Sequence, residues 1–327
     1  MPDAPYLVTG AAGFIGARFV EACGSRRRPT ISVDRLESFA ERTEHGGLDF
    51  GEIVDREQLF DWLTTAPPLA GIVHLGACTD TTLHDIAYFE RVNVEYSRRL
   101  WIWASEHQVP FVYASSGATY GGGEHGYDDD ESRIPELKPL NPYGDSKQIF
   151  DLWALEEERQ GRSPPSWAGF KFFNVYGFGE RHKGPMSSVV VQAFDQILER
   201  QRVRLFRSDR PDIEDGHQSR DFVSVEDVVN VLQFALEKPL PRGIFNLGTG
   251  KARTFLDLVR ATFAALDMPC RLDWIDTPEH LRGRYQYFTE APMGRLREAG
   301  WDRDFLSLEE GVRRYVTRLQ SSREQNA

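Results

Sequence analysis

Tyr143 and Lys147 lie four residues apart in the segment Asn-Pro-Tyr-Gly-Asp-Ser-Lys. Four residues make about one turn of an α-helix, so a helix here places both side chains on one face. Asn141 suits the N-cap and Pro142 the first helical position. Tyrosine, with a reference pKa of about 10, is a weak base at neutral pH, but an adjacent ammonium and a helix N-terminus favour the phenolate. The pair predicts proton transfer with a hydroxyl group; a surface tyrosine and lysine with this common spacing is the alternative.

A glycine-rich turn precedes this pair near the start of the chain. Gly10, Gly13 and Gly16 follow a short apolar run and open a helical pattern. Glycines allow the backbone to approach a pyrophosphate closely, and the helix N-terminus offers free amides to it. The pattern predicts a dinucleotide site that includes Phe14 and Ile15.

The second predicted strand ends at Asp34, where an acid can bind the adenosine ribose. Arg35 follows directly, and a cation there can bind a 2′-phosphate instead, so NAD and NADP both stay open. Arg56 could add to a phosphate site, although a solvated arginine is the commoner situation.

The later predicted strands end in small or hydroxyl-bearing residues, which leave room for a ligand at the carboxyl edge of a parallel sheet. Asn93, in the middle of a predicted helix, either hydrogen-bonds into the site or is an ordinary surface residue. We assign further cofactor contacts to Leu75, Gly76, Ala77, Asn93 and Val175.

Five or six strand–helix alternations in about the first 175 residues predict an α/β fold with a doubly wound parallel (Rossmann) sheet. The pattern loosens past Gly177 and predicts a smaller, discontinuous α/β substrate lobe. We place the dinucleotide-binding domain at 1–176 and 219–250, and the substrate lobe at 177–218 and 251–327.

Composition narrows the class of protein. The 327 residues are 40% hydrophobic and 27% charged, which is typical of a globular protein. A net charge of −11 argues against nucleic-acid binding. Three scattered cysteines fit a reducing compartment, and no residues have metal-ligand spacing. The sequence has neither an apolar stretch long enough to span a membrane nor a signal segment, so we expect a cytoplasmic protein.

The glycine turn, the serine pair at 115–116 and the Tyr-x-x-x-Lys spacing together resemble the extended short-chain dehydrogenase/reductase superfamily over nearly the whole chain. The resemblance implies a homo-oligomer whose nicotinamide cofactor takes hydride from a sugar carbinol. It further implies that Tyr143 is the acid–base, that Lys147 binds the nicotinamide ribose and that Ser116 positions the hydroxyl. Dehydratases of the superfamily carry an acidic pair where this chain has Gly117 and Ala118, which argues for simple oxidation and reduction.

A narrower resemblance, to the ADP-L-glycero-D-manno-heptose 6-epimerase family, is carried by five segments. These are 74–78, 113–121, 173–177, His182-Lys183-Gly184 and 283–286. The resemblance implies that Lys183 is a second acid–base, which fits epimerisation, because hydride must return to the opposite face of a ketone. A phosphate-binding or loop lysine is the alternative interpretation of Lys183.

The resemblance implies an NADP-dependent enzyme, with NAD possible, that inverts C6″ of ADP-D-glycero-D-manno-heptose through a 6″-keto intermediate. This activity would supply heptose for the lipopolysaccharide core. An epimerase or reductase of a UDP- or GDP-hexose is the first alternative, and a non-catalytic nicotinamide-binding regulator is another.

Three features depart from the family pattern: Pro185 replaces a usual serine, Gln192 a usual histidine, and the segment at 207–219 is longer. For Arg220, diphosphate binding stands beside a structural ion pair. The expected substrate contacts are Ser116, Asn174, Gln192, Phe206, Arg220, Arg284 and Tyr285.

Overall fold

A computed structural model of the chain describes residues 4–238, 240–278 and 286–325. The strands of its main sheet are β1 (Tyr6–Thr9), β2 (Thr30–Asp34), β3 (Glu52–Asp55), β4 (Gly71–His74), β5 (Phe111–Ser116), β6 (Trp167–Phe172) and β10 (Gly243–Leu247). These seven strands lie in the order β3-β2-β1-β4-β5-β6-β10, and all six strand pairs are parallel. The predicted doubly wound α/β fold is confirmed. The order reverses between β1 and β4, which is where such sheets bind their ligands.

Helices cover both faces of this sheet. They are α1 (Phe14–Ser25), α2 (Leu36–Glu41), α3 (Leu59–Trp62), α4 (Ile86–Phe89), α5 (Tyr96–Glu106), α6 (Pro142–Arg159) and α8 (Val225–Glu237). One apolar core includes residues of α1 and α8, and a second, on the other face, includes residues of α5 and α6. A π-helical segment at 90–95 joins α4 to α5.

Outside the main sheet the chain forms two small sheets, and we call these sheets and the helices on them the second lobe. The strands are β7 (Asn174–Tyr176), β8 (Val203–Phe206), β9 (Ser219–Ser224), β11 (Ala252–Thr254) and β12 (Leu272–Ile275), in the orders β11-β9-β7 and β12-β8. Helices α7 (Val189–Arg200), α9 (Phe255–Ala265) and α11 (Leu308–Gln325) pack together over them and enclose the remaining apolar clusters. Helix α10 (Gly294–Glu298) instead packs on β10, and its Leu296 belongs to the first apolar core. Strands β7 and β9 lie within the bounds predicted above for the dinucleotide-binding domain. The domain boundaries given above stay a prediction.

Helix α6 begins as its sequence predicts. The Asn141 side chain accepts a hydrogen bond of 2.9 Å from the Gly144 amide, and Pro142 occupies the first turn. Tyr143 and Lys147 therefore stand one turn apart near the helix N-terminus. Among the residues that the structure describes, no helix is long and apolar enough to cross a membrane.

Candidate active site

A cavity of about 960 Å³ opens where β1, β2, β4 and β5 end. It brings together the predicted residues Gly10, Gly13, Phe14, Ile15, Gly16, Asp34, Arg56, Leu75, Gly76, Ala77, Ser116, Tyr143, Lys147, Asn174, Val175 and Lys183. We call this cavity the cleft. The glycine turn, the Tyr–Lys pair and the His-Lys-Gly segment, which are far apart in sequence, all contribute to its wall.

The glycine turn has the tight backbone that a dinucleotide requires. Gly10 has a φ of +67°, and a Cβ on it would come within 2.7 Å of the Gly76 amide nitrogen. A Cβ on Gly16 would collide with the Gly10 carbonyl oxygen. Side chains are thus excluded from the turn that leads into α1, so its backbone is open to a pyrophosphate at the helix N-terminus.

The end of the cleft beside β2 combines a carboxylate with an arginine that the sequence analysis missed. Asp34 accepts a hydrogen bond of 3.1 Å from the Ala12 amide, and its Oδ2 lies 4.0 Å from Nη1 of Arg42. Arg42 also donates to the Ala12 carbonyl and lines the cleft. Arg35 is exposed and does not line it. In the sequence, the one sign of this role for Arg42 is its basic charge directly after the short helix α2, which begins two residues after Asp34.

Tyr143 and Lys147 face the end of β5. Lys147 Nζ donates a 2.8 Å hydrogen bond to the Ala114 carbonyl. Burial lowers the pKa of Lys147 to about 8, and Asp151 partly opposes this. Burial also raises the pKa of Tyr143, which a hydrogen bond with Ser116 partly offsets. The protein alone therefore does not favour the phenolate that the sequence analysis expects, because burial is the largest influence on the pKa of Tyr143.

A buried ion pair lies beneath α6, the helix that carries Tyr143 and Lys147. Asp151 lies one turn after Lys147, and its Oδ2 is 2.7 Å from Lys171 Nζ on β6, with both side chains fully buried. Tyr113 and Ser115 on β5 donate to the same carboxylate at 2.9 and 2.7 Å. These bonds fix α6 against β5 and β6, and so fix where Tyr143 and Lys147 stand relative to Ser116.

Asn93 is buried in the π-helical segment, so its interpretation as a surface residue is wrong. Its amide accepts from the Cys78 backbone N–H at 2.8 Å and donates to the Cys78 carbonyl at 2.9 Å and to Ser146 Oγ at 2.9 Å. It does not line the cleft. Its contacts instead hold the loop after β4 against α6.

His74 stands at the end of β4, inside the wall of the cleft. One ring nitrogen lies 2.6 Å from Thr9 Oγ1 and the other 2.7 Å from Ser97 Oγ. Burial, with a smaller contribution from the Lys147 charge, lowers the pKa of His74 to about 3. The imidazole is therefore neutral at physiological pH and bridges β1 to α5.

Lys183 enters the cleft from the other lobe, on a 3₁₀ turn at 181–186. Its Nζ lies 5.3 Å from the centre of the Phe14 ring, at the start of α1, and 3.7 Å from Oε2 of the buried Glu180. The side chain is 28% exposed. The cleft is thus lined by an ammonium from this turn and a phenol from α6, while Gly117 and Ala118 add no carboxylate.

The predicted substrate contacts do not all line the same cavity. Asn174 lines the cleft, whereas Gln192 and Phe206 line a second cavity of about 320 Å³. The two cavities share Val189 and Phe255 in their walls. Gln192 Nε2 donates to the carbonyls of Ser187 and Pro185, at 2.8 and 3.2 Å.

Arg220 is buried and lines neither cavity. It donates to the carbonyls of Ser219 and Gln286 and lies 5.7 Å from the centre of the Phe255 ring. Arg284 and Tyr285 lie outside the described residues. Within the described part of the chain, no cluster of His, Cys, Asp and Glu could hold a metal ion.

Comparison with known proteins gives one consistent family. The profile of the NAD dependent epimerase/dehydratase family matches residues 6–248. The chain is 42% identical over 322 residues to an ADP-L-glycero-D-manno-heptose-6-epimerase from Fusobacterium nucleatum subsp. nucleatum, covering 95% of this chain and 96% of that protein. A protein of the same name from Nitratidesulfovibrio vulgaris is 44% identical over 317 residues, covering 96% and 97%.

Solved structures share the fold. The crystal structure of ADP-L-glycero-D-manno-heptose-6-epimerase from Helicobacter pylori superposes with a TM-score of 0.81 at 22% identity, covering 98% of this chain and 97% of that one. A UDP-N-acetylglucosamine 4-epimerase from Methanobrevibacter ruminantium gives a TM-score of 0.82 at 21% identity, covering 98% and 99%.

Proposed function

The chain belongs to the NAD dependent epimerase/dehydratase family, and from that premise we propose that it inverts C6″ of ADP-D-glycero-D-manno-heptose to the L-glycero form. The sugar alcohol is oxidised to a 6″-keto intermediate, which turns in the cleft and is reduced on its other face. The product would supply heptose for the lipopolysaccharide core.

The observation that carries this proposal is that Tyr143 and Lys183 line one cleft from different parts of the fold. Epimerisation by oxidation and return exchanges a proton with a hydroxyl in each half-reaction, and the carbinol changes face between them. A group on each side serves both epimers. The lack of carboxylates at Gly117 and Ala118 supports oxidation and reduction without loss of water.

The chain's own groups have separate roles in this scheme. When bound, a nicotinamide dinucleotide supplies the acceptor for the hydride and returns it. Tyr143 exchanges the hydroxyl proton of one epimer, with Ser116 orienting that hydroxyl, and Lys183 does the same for the other epimer. Lys147 would hold the nicotinamide ribose, and the turn at 10–16 would hold the pyrophosphate.

We propose NADP as the cofactor. Arg42 and Arg56 both line the end of the cleft next to Asp34, and two guanidinium groups there favour a 2′-phosphate over a free hydroxyl. Denaturing the native protein and identifying the released nucleotide by mass spectrometry tests this directly. Recovery of NAD alone would contradict the proposal.

The decisive assay is incubation of the purified protein with ADP-D-glycero-D-manno-heptose, followed by separation of the two epimers. We expect conversion to a mixture of both without net consumption of cofactor. UDP- and GDP-hexoses serve as parallel substrates, and faster conversion of one of these would reassign the substrate. No conversion of any sugar by cofactor-loaded protein would exclude the enzyme function.

We also propose that the protein is a cytoplasmic homo-oligomer, as the resemblance to its superfamily implies. Size-exclusion chromatography with light scattering on the cofactor-loaded protein measures its mass against that of one 37.3 kDa chain. A monomer at micromolar concentration would contradict the proposed assembly.

A further inference from the structure

The Lys183 ammonium has one carboxylate beside it, and that carboxylate is completely buried. Glu180 has no exposed surface, yet its Oε2 comes within 3.7 Å of Lys183 Nζ. A buried ionised group is stable only when it is hydrogen-bonded or paired. Glu180, buried behind the wall of the cleft, therefore needs partners that stabilise its carboxylate.

Three donors hold the Glu180 side chain in place. Ser188 donates from its amide at 2.8 Å and from its hydroxyl at 2.6 Å, and the Gly177 amide donates at 3.3 Å. Ser188 is the N-cap of α7, where a negative charge also interacts favourably with the helix dipole. The carboxylate is thereby rigid, although it lies in a segment without long helices or strands.

Lys183, by contrast, stands on a short turn and has a long side chain. Its own turn includes Gly184, with a φ of +55°, and Pro185. A lysine in such a turn has many rotamers, but proton transfer needs the nitrogen within hydrogen-bond reach of one hydroxyl. The Glu180 carboxylate on one side and the Phe14 ring on the other restrict where the nitrogen can lie.

We propose that Glu180 is a positioning residue for Lys183: it holds the Lys183 side-chain nitrogen at the cleft wall. This inference rests on the proposed function, because it assigns a partner to the second acid–base. Glu180 itself touches neither substrate nor cofactor in this arrangement. The sequence analysis did not single it out, since a glutamate three residues before a lysine has many ordinary explanations.

Other charged groups surround the pair and have partners of their own. Arg181 binds Asp195 of α7 at 2.6 Å, and the Glu44 carboxylate accepts from the His182 amide at 3.3 Å and lies 3.7 Å from its ring. Burial, followed by the charges of Glu180 and Glu44, raises the pKa of the Tyr315 hydroxyl.

The test is a double-mutant cycle on epimerisation by the cofactor-loaded enzyme, with E180Q, K183M and the double variant E180Q/K183M. E180Q keeps the shape of the side chain and removes its charge, so we expect kcat to fall by roughly tenfold or more while KM changes little. In the K183M background the same change should have little further effect on the residual kcat, because the residue that Glu180 positions is gone. A purely structural role at α7 would lower kcat by the same factor in both backgrounds.

Two further variants keep the test sharp. E180D retains the charge but withdraws it by one methylene, so its kcat should lie between those of E180Q and the native enzyme. S188A removes one donor to Glu180 and keeps the carboxylate, so its kcat should stay near the native value. If E180Q does not fold, a native kcat in E180D overturns the proposal.

The outcomes separate this inference from the function beneath it. A K183M enzyme with full activity would remove Lys183 as an acid–base and this inference with it, while the epimerase assignment itself is decided by the substrate assay. A native kcat in E180Q, or an equal loss from E180Q in both backgrounds, together with a strongly slowed K183M, would overturn the role of Glu180 alone. A loss of kcat in E180Q that disappears in the K183M background supports it.

Discussion

At the scale of single residues, the proposed mechanism makes the Tyr143 hydroxyl the group that exchanges the hydroxyl proton of one epimer. Replacing Tyr143 by Phe removes that hydroxyl and leaves the ring in its place. Because general acid–base groups contribute roughly 100- to 10,000-fold, we expect an epimerisation rate lower by a factor in that range. Cofactor affinity should change little, and its measurement is the control. Activity within a few-fold of native would exclude Tyr143 as the acid–base.

The lowered pKa of Lys147 predicts how cofactor binding depends on pH. Its pKa of about 8 means that the side chain is charged below that pH and neutral above it. If the charged form binds the nicotinamide ribose, the dissociation constant of NADP should be flat below pH 8 and rise roughly tenfold per unit above it. Titration calorimetry across this range measures the curve.

The matched variant for that experiment is K147R, because a guanidinium keeps its charge throughout the range. Its affinity for NADP can be lower than that of the native protein, but it should not depend on pH in this window. If K147R and the native protein lose affinity in parallel as the pH rises, the titrating group is not Lys147.

At the scale of elements, the Asp151–Lys171 pair decides how α6 sits on the sheet. Removing one partner of a fully buried pair leaves the other charge uncompensated, which costs about 3–5 kcal/mol. We therefore expect K171M to lower the free energy of unfolding by about that amount, measured by urea denaturation. In the double variant D151N/K171M neither charge of the pair is left, so much of the loss should be recovered. Equal losses in both variants would contradict this account.

Much of the arrangement of elements was predictable because the signals are local. The cap at Asn141, the glycine turn and the alternation of strands and helices each depend on neighbours in sequence, and each is confirmed. Contacts between distant segments were not predictable. Arg42 contacts the Ala12 carbonyl, 30 residues away, only because of the fold. The burial of Glu180 and the raised pKa of Tyr143 likewise follow from packing, which spacing in the sequence does not reveal.

At the scale of the whole molecule, the two cavities are lined by different parts of the fold. The cleft takes most of its wall from the main sheet, while the second cavity is lined by residues of the second lobe, including Gln192 and Phe206. Val189 and Phe255 belong to both walls, so the cavities adjoin at the start of α7 and α9. A ligand that carries a sugar and a nucleotide can occupy both at once, with the sugar beside Tyr143.

This division predicts that nucleotide and cofactor affinities change independently. Replacing Phe206 by Ala removes an aromatic ring from the second cavity, and the loss of about 1.4 kcal/mol of contact energy corresponds to roughly tenfold weaker binding of ADP. NADP affinity should be unchanged, because Phe206 does not line the cleft. Calorimetric titration of each nucleotide into F206A and the native protein tests both statements. If F206A weakens NADP as much as ADP, or leaves ADP binding intact, the nucleotide of the substrate does not occupy the second cavity.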